Sequence, residues 1–101
     1  SLELISKSLS NDSLTRRLLF HLAGEYYYLN RLQKSLNLSN KVFQLSSEVK
    51  DTMSIAKSLY YIGDCYELTQ KDSAYFYYQK AEKLYRLGAE VQLILGPSTP
   101  Y

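Results

Sequence analysis

Apolar residues recur at three- to four-residue spacing through most of the chain, and the polar breaks between these stretches are short. From 15 to 29 the stripe is Leu18, Leu19, Leu22, Ala23 and Tyr26, as one face of an amphipathic helix requires. From 32 to 48, Leu32, Leu36, Val42, Phe43 and Leu45 follow the same step less cleanly. Residues 52 to 68 carry the clearest stripe, Ile55, Leu59, Ile62 and Tyr66, and residues 73 to 87 add Ala74, Tyr78, Ala81 and Leu84. Leu2, Ile5 and Leu9 suggest that the chain begins inside a further helix. "SND" (10–12) and "KDTMS" (50–54) offer Asp or Ser caps to the helices that follow. Asn30 and "QKDS" (70–73) supply reversals of the length that joins antiparallel helices. Gly88 stands where a C-terminal cap belongs. Beyond it the period fades: "VQLIL" reads as a helix extension or a short strand, and "GPSTP" as turn or extended chain.

The segment "LYYIGDCYEL" (59–68) is therefore helical, with Leu59, Ile62, Gly63 and Tyr66 on one side. It is also one copy of a repeat. Leu19, Leu22, Ala23 and Tyr26 reappear as Leu59, Ile62, Gly63 and Tyr66, each shifted by 40 residues. In the following helix Ser35, Ser39 and Val42 correspond to Ala74, Tyr78 and Ala81, shifted by 39. The small members of the set allow helices to approach closely while the large ones fill the remaining space. Two helices alone leave apolar faces bare, so such units stack.

At these residues the sequence resembles the tetratricopeptide repeat family. "LYYIGDCYELTQKDSAYFYYQKAEKLYRL" (59–87) carries that family's series through Leu59, Ile62, Gly63, Tyr66, Ala74, Tyr78 and Ala81, with a loop one residue short. The copy at 19–45 is degenerate in its second helix, where Ser35, Ser39 and Val42 occupy those places. The 40-residue period exceeds the usual ~34. It is similar to the long-period variety found in kinesin light chains and in bacterial sensor kinases and regulators. HEAT and armadillo repeats share the period but lack the small–aromatic series. The fold expected is all-α: antiparallel helix pairs stacked as a short right-handed α-solenoid. Residues 1–88 would form the repeat domain, with 1–10 ending a preceding unit, 13–48 and 51–88 forming two units, and 89–101 a tail.

Composition fits a folded helical chain. It is 46% hydrophobic, and both prolines, Pro97 and Pro100, fall at the far end. The net charge of +2 and the scattered Arg16, Arg17, Arg31 and Arg86 disfavour a nucleic-acid footprint. A single cysteine excludes an internal disulfide, and no apolar run reaches membrane-spanning length. The chain opens on Ser1 rather than methionine, which suggests a fragment or processed product. Localisation stays open, with the cytoplasm favoured over the periplasm.

The resemblance implies that the first helix of each unit lines a concave groove. In the first unit Arg17, Phe20, His21, Gly24 and Tyr27 would face it; in the second, Lys57, Tyr60, Tyr61, Asp64 and Glu67. Rigid aromatic rings with a few charges suit an extended or helical peptide. The family's carboxylate-clamp asparagines are missing, so an acidic C-terminal motif is not the expected ligand. Tyr26, Tyr66 and Tyr78 are expected to pack between helices, Cys65 to be a small buried residue, and "TRR" (15–17) to be a solvated helix start. His21 lacks a second ligand for a metal, and no catalytic or phosphate-binding motif occurs, so neither an enzyme nor a cofactor is expected. The expected function is a protein-interaction module within a larger bacterial signalling protein. The alternative is a structural or self-association segment, pairing through the 89–101 tail, whose "LILGPSTPY" could lie extended on its own end or in a neighbour's groove.

Overall fold

The computed structural model describes residues 11–96, all of whose regular structure is helical. Four helices follow one another: α1 (Ser13–Tyr28), α2 (Leu32–Glu48), α3 (Thr52–Tyr66) and α4 (Lys71–Leu95). The expected helix end at 1–10 and the final residues of the tail lie outside the described residues.

The starts of α1 and α3 are set by the two expected aspartates. Asp12 accepts from the Thr15 amide at 2.7 Å, and Asp51 from the Ser54 amide at 3.2 Å and the Ser54 hydroxyl at 2.8 Å. The first two reversals share one device. Asn30 and Lys50 adopt left-handed backbone (φ 59° and 56°), and the next amide reaches back across the turn. Arg31 N–H bonds Tyr26 C=O at 2.8 Å, and Asp51 N–H bonds Ser46 C=O at 3.0 Å.

These tight turns lay each helix antiparallel on the next. Asn11, just before α1, donates to Leu45 C=O near the end of α2 at 2.9 Å, and Tyr66 at the end of α3 stacks on Tyr77 near the start of α4 (5.8 Å between centroids). Leu19, Phe20 and Ala23 of α1 and Leu38, Val42 and Leu45 of α2 form the main core, with Leu22, Tyr26 and Tyr61 packed against it. In α3 and α4, Leu59, Ile62, Ala74 and Ala81 are buried. Every repeat position recognised in the sequence is thus buried or half-buried.

Three expectations are corrected. Leu18 is 45% exposed, because the buried arc of α1 turns toward Thr15, Arg16, Leu19, Phe20 and Ala23. The solvated start at 15–17 is not found: Arg16 is buried against Asp51 (3.7 Å) and Asn11 Oδ1 (2.9 Å), which ties the start of α1 to that of α3. Asp51 therefore both caps α3 and neutralises Arg16. Gly88 does not end the last helix. The run "AEVQLIL" supplies enough good helix formers to outweigh one glycine, and α4 continues to Gly96, whose φ of 76° stops it before Pro97. Residues 92–95 are accordingly helical rather than extended, and Leu93, Ile94 and Leu95 are exposed.

Gly63 marks the closest approach of α3 and α4. A Cβ there would fall 2.7 Å from Tyr78 Cε1 and 3.2 Å from Ala74 C=O, whereas one on Gly24 meets nothing within 4 Å. Gly63→Ala is expected to destabilise by about 2 kcal/mol, overpacking outweighing the gain in helix propensity. Gly24→Ala should stabilise by roughly 0.5–1 kcal/mol through propensity alone. Urea unfolding followed at 222 nm tests both signs together. In the same assay Lys50→Gly should stabilise by about 1 kcal/mol, by relieving left-handed strain at a side-chain-bearing residue.

Candidate partner-binding site

Ser35 of α2 joins the three helices beneath the site. Its hydroxyl, 2% exposed, donates to Ala23 C=O of α1 at 2.8 Å and accepts from the Cys65 thiol of α3 at 3.5 Å. A residue larger than serine would push α1 and α3 away from α2. With both held on α2, α1 and α3 run side by side in the same direction, and their exposed flanks form one face. Cys65 is the small buried residue expected, and burial raises its thiol pKa against the opposing Ser35 hydrogen bond.

Two hollows open on this face, on either side of Tyr61. The larger, about 370 Å³, lies at the helix starts, where Arg17, Phe20, Met53, Lys57 and Tyr85 contribute to its walls. Lys57 Nζ sits 4.7 Å from the Phe20 ring centre and 5.8 Å from that of Tyr61, and the two rings meet edge to face at 5.4 Å. The smaller, about 110 Å³, lies toward the C-terminal ends of α1 and α3 and is lined by Gly24, Tyr27, Tyr28, Ser35, Tyr61 and Asp64. Tyr27 and Tyr28 stand nearly at right angles there, at 77° with centroids 5.8 Å apart.

Asp64 is half-buried. Desolvation raises its pKa above the usual carboxylate range, a hydrogen bond from Tyr78 opposes the shift, and Glu67 adds to it. The Tyr78 hydroxyl lies 2.5 Å from Asp64 Oδ1 and 3.2 Å from Glu67 Oε2, and its one proton goes to the nearer oxygen. Desolvation and these carboxylates push the Tyr78 phenol far above its ordinary range. Tyr61 and Tyr27 are raised as well, by desolvation first and then by Asp64.

Of the residues expected to line a groove, Arg17, Phe20 and Lys57 meet at the larger hollow and Gly24, Tyr27 and Asp64 at the smaller, with Tyr61 between. Phe20 is 6% exposed and belongs to the core, so it floors the hollow instead of standing free on its wall. Tyr60 packs on Tyr78 at 4.9 Å and lines neither hollow. His21 points to solvent beside Glu25 at 3.7 Å, one turn along α1, and also lines neither. Glu67 lines neither hollow and reaches the site through the Tyr78 hydroxyl and through its charge on Asp64 and Tyr27.

Tyr28, Ser35, Met53 and Tyr85 were not expected at the face. Tyr85 could have been found, since it continues the Ala74, Tyr78, Ala81 step by four residues and so shares their side of α4. Among the described residues no cluster of three or more His, Cys, Asp or Glu side chains could hold a metal, and no helix is long and apolar enough to cross a membrane.

Comparison with protein-family models, curated proteins and solved structures finds no match to this chain.

Tyr27, Tyr61, Tyr78, Tyr85 and Cys65 all hold their protons more tightly when folded. Between their ordinary and raised pKa values the unfolded chain binds fewer protons, so stability must fall as pH rises. The decline should begin above about pH 8.5–10, the range of free thiol and phenol. Melting curves from pH 8 to 11 should show a falling midpoint, with tyrosinate absorbance at 295 nm lagging behind that of the urea-unfolded chain. A midpoint flat across this range contradicts the assignment.

Proposed function

We propose that this protein is a non-enzymatic interaction module that holds a partner peptide or helix across the face shared by α1 and α3. The observation that carries the reading is the pair of hollows on one face, the larger floored by Phe20 and edged by Arg17 and Lys57, the smaller walled by Tyr61 and edged by Asp64. Half-exposed rings give contact area at small entropic cost, and the charges at opposite ends give a bound segment a preferred direction. The spacing of Ala23, Gly63, Ala74 and Ala81 and the sequential antiparallel packing support a finer reading. In it, the helix pairs stack as a short right-handed solenoid of the tetratricopeptide type, within a larger bacterial signalling or regulatory protein.

A second reading, self-association, is favoured by one feature. The last turns of α4 expose Leu87, Val91, Leu93, Ile94 and Leu95, a run of apolar side chains that nothing among the described residues covers.

Peptides selected from a random display library against the full chain test the first reading. Arg17→Glu and Lys57→Glu, both at exposed positions, should each weaken the selected peptides at least fivefold. Tyr75→Ala, outside both hollows on α4, should leave affinity unchanged. Equal affinity in all three variants removes the groove reading. Light scattering on the full chain addresses the second: a dimer made monomeric by Ile94→Glu favours it over the first.

A further inference from the structure

We infer that the smaller hollow is a socket for the ammonium head of a lysine side chain carried by the partner segment, with Tyr27, Tyr28 and Tyr61 as its aromatic walls and Asp64 as its counter-charge. This deepens the groove reading and rests on it for the source of the lysine.

Four independent features converge on a cation. The walls are tyrosine rings, whose faces attract positive charge, and two of them stand at 77° to form a corner. Asp64 is half-buried among them, with the Tyr78 hydroxyl on its Oδ1 but no basic group within ion-pair distance among the described residues, so no cation there offsets its charge. Lys57, the nearest candidate partner on α3, is engaged instead over Phe20 and the Tyr61 ring on the far side. Both α1 and α3 end at this level, at Tyr28 and Tyr66, and the carbonyl-rich ends of helices favour cations.

The space itself is the fourth. Gly24 has no steric reason to lack a side chain, since a Cβ there would meet nothing within 4 Å. Its bareness keeps open a hollow of about 110 Å³ that a larger residue would fill. Such a volume admits a compact ammonium head together with the methylenes next to it. The hollow opens onto the same face as the larger one, so a chain lying across that face can drop one long side chain into it. Lysine fits this better than arginine, because a compact charge needs no planar fork of acceptors and Asp64 has its Oδ1 already occupied by Tyr78.

The test uses the full chain labelled with nitrogen-15 and small probes, so it does not depend on having a peptide ligand. Nα-acetyl-lysine methylamide, its Nε-trimethyl form and its neutral Nε-acetyl form are titrated separately, with choline as a non-peptide ammonium. The expected result is saturable shifts at the amides of Gly24, Tyr27, Tyr61 and Asp64 with both charged lysine derivatives. The Nε-acetyl form should bind at least fivefold more weakly. Asp64→Asn, which keeps an acceptor for Tyr78, should weaken the charged probes at least fivefold. Gly24→Leu should abolish the shifts by filling the hollow, and its unchanged or raised melting midpoint would show that the fold is intact. Neutral and charged probes binding alike, or no shift at these amides at millimolar concentration, overturns the socket. Choline binding more tightly than either lysine derivative overturns the assignment to lysine. If selected peptides still bind through Arg17 and Lys57 while the probes fail, the groove stands and the socket falls. If the probes bind and no peptide does, the socket stands and the source of its lysine falls.

Discussion

The arrangement depends on how closely α1 and α3 can both lie on α2, and Ser35 is the residue where that distance is set. Its hydroxyl satisfies Ala23 C=O in α1 and receives the Cys65 thiol of α3, so one small polar side chain joins three helices in the buried layer. Small neighbours extend the contact: Ala23, Ser39, Ser58 and Gly63 are all buried with little side-chain volume. At the opposite end the constraint is electrostatic. Arg16 is buried against Asp51, and truncating Asp51 would leave the buried guanidinium without its counter-charge. The two starts and the two ends of α1 and α3 are thereby kept in register, and the shared face follows from that register.

A face built from two helices running in the same direction is polar along its length. Arg17 and Lys57 lie near the N-terminal ends, and Asp64 near the C-terminal ends. The larger hollow therefore combines Arg17 and Lys57, beside the Arg16–Asp51 pair, with the positive ends of two helix dipoles, and the smaller combines a carboxylate with the negative ends. Charge and dipole have the same sign at each end. A segment crossing this face meets opposite preferences at its two ends, which specifies direction as well as contact.

The tyrosines divide their work by which helix interval they occupy. Tyr78 fills the space that Gly63 leaves and carries its hydroxyl out to Asp64, so it both spaces α3 from α4 and orients the one desolvated carboxylate of the site. Tyr61 packs on the core against Phe20 and lines the smaller hollow. Tyr27 and Tyr28, adjacent in sequence, point about 100° apart around α1, which is why they can form two walls of a corner instead of one flat surface. An amphipathic ring suits all three tasks because its body is apolar and its hydroxyl still finds a partner or water.

The helices, their order and their capping aspartates are properties of local sequence, since periodicity, propensity and cap chemistry act over a few residues. The 40-residue echo of Leu19, Ala23 and Tyr26 in Leu59, Gly63 and Tyr66 went further and marked the positions that pack between helices. Most of the candidate face was legible in the same way, because residues one step off a packing stripe must flank it. What the sequence alone did not yield are quantities set by distance between segments. Arg16 looks like a surface charge until Asp51, 35 positions away, is brought beside it. Gly63 is legible as a packing position and Gly24 as lying off the stripe, but only the neighbouring helix gives the distances, 2.7 Å from a Cβ on Gly63 to Tyr78 and nothing within 4 Å of one on Gly24. Tyr85 joins the face because α4 passes near the start of α1. Helix identity was thus decided by interactions within a turn or two, whereas the site was decided by which turns the packing set side by side.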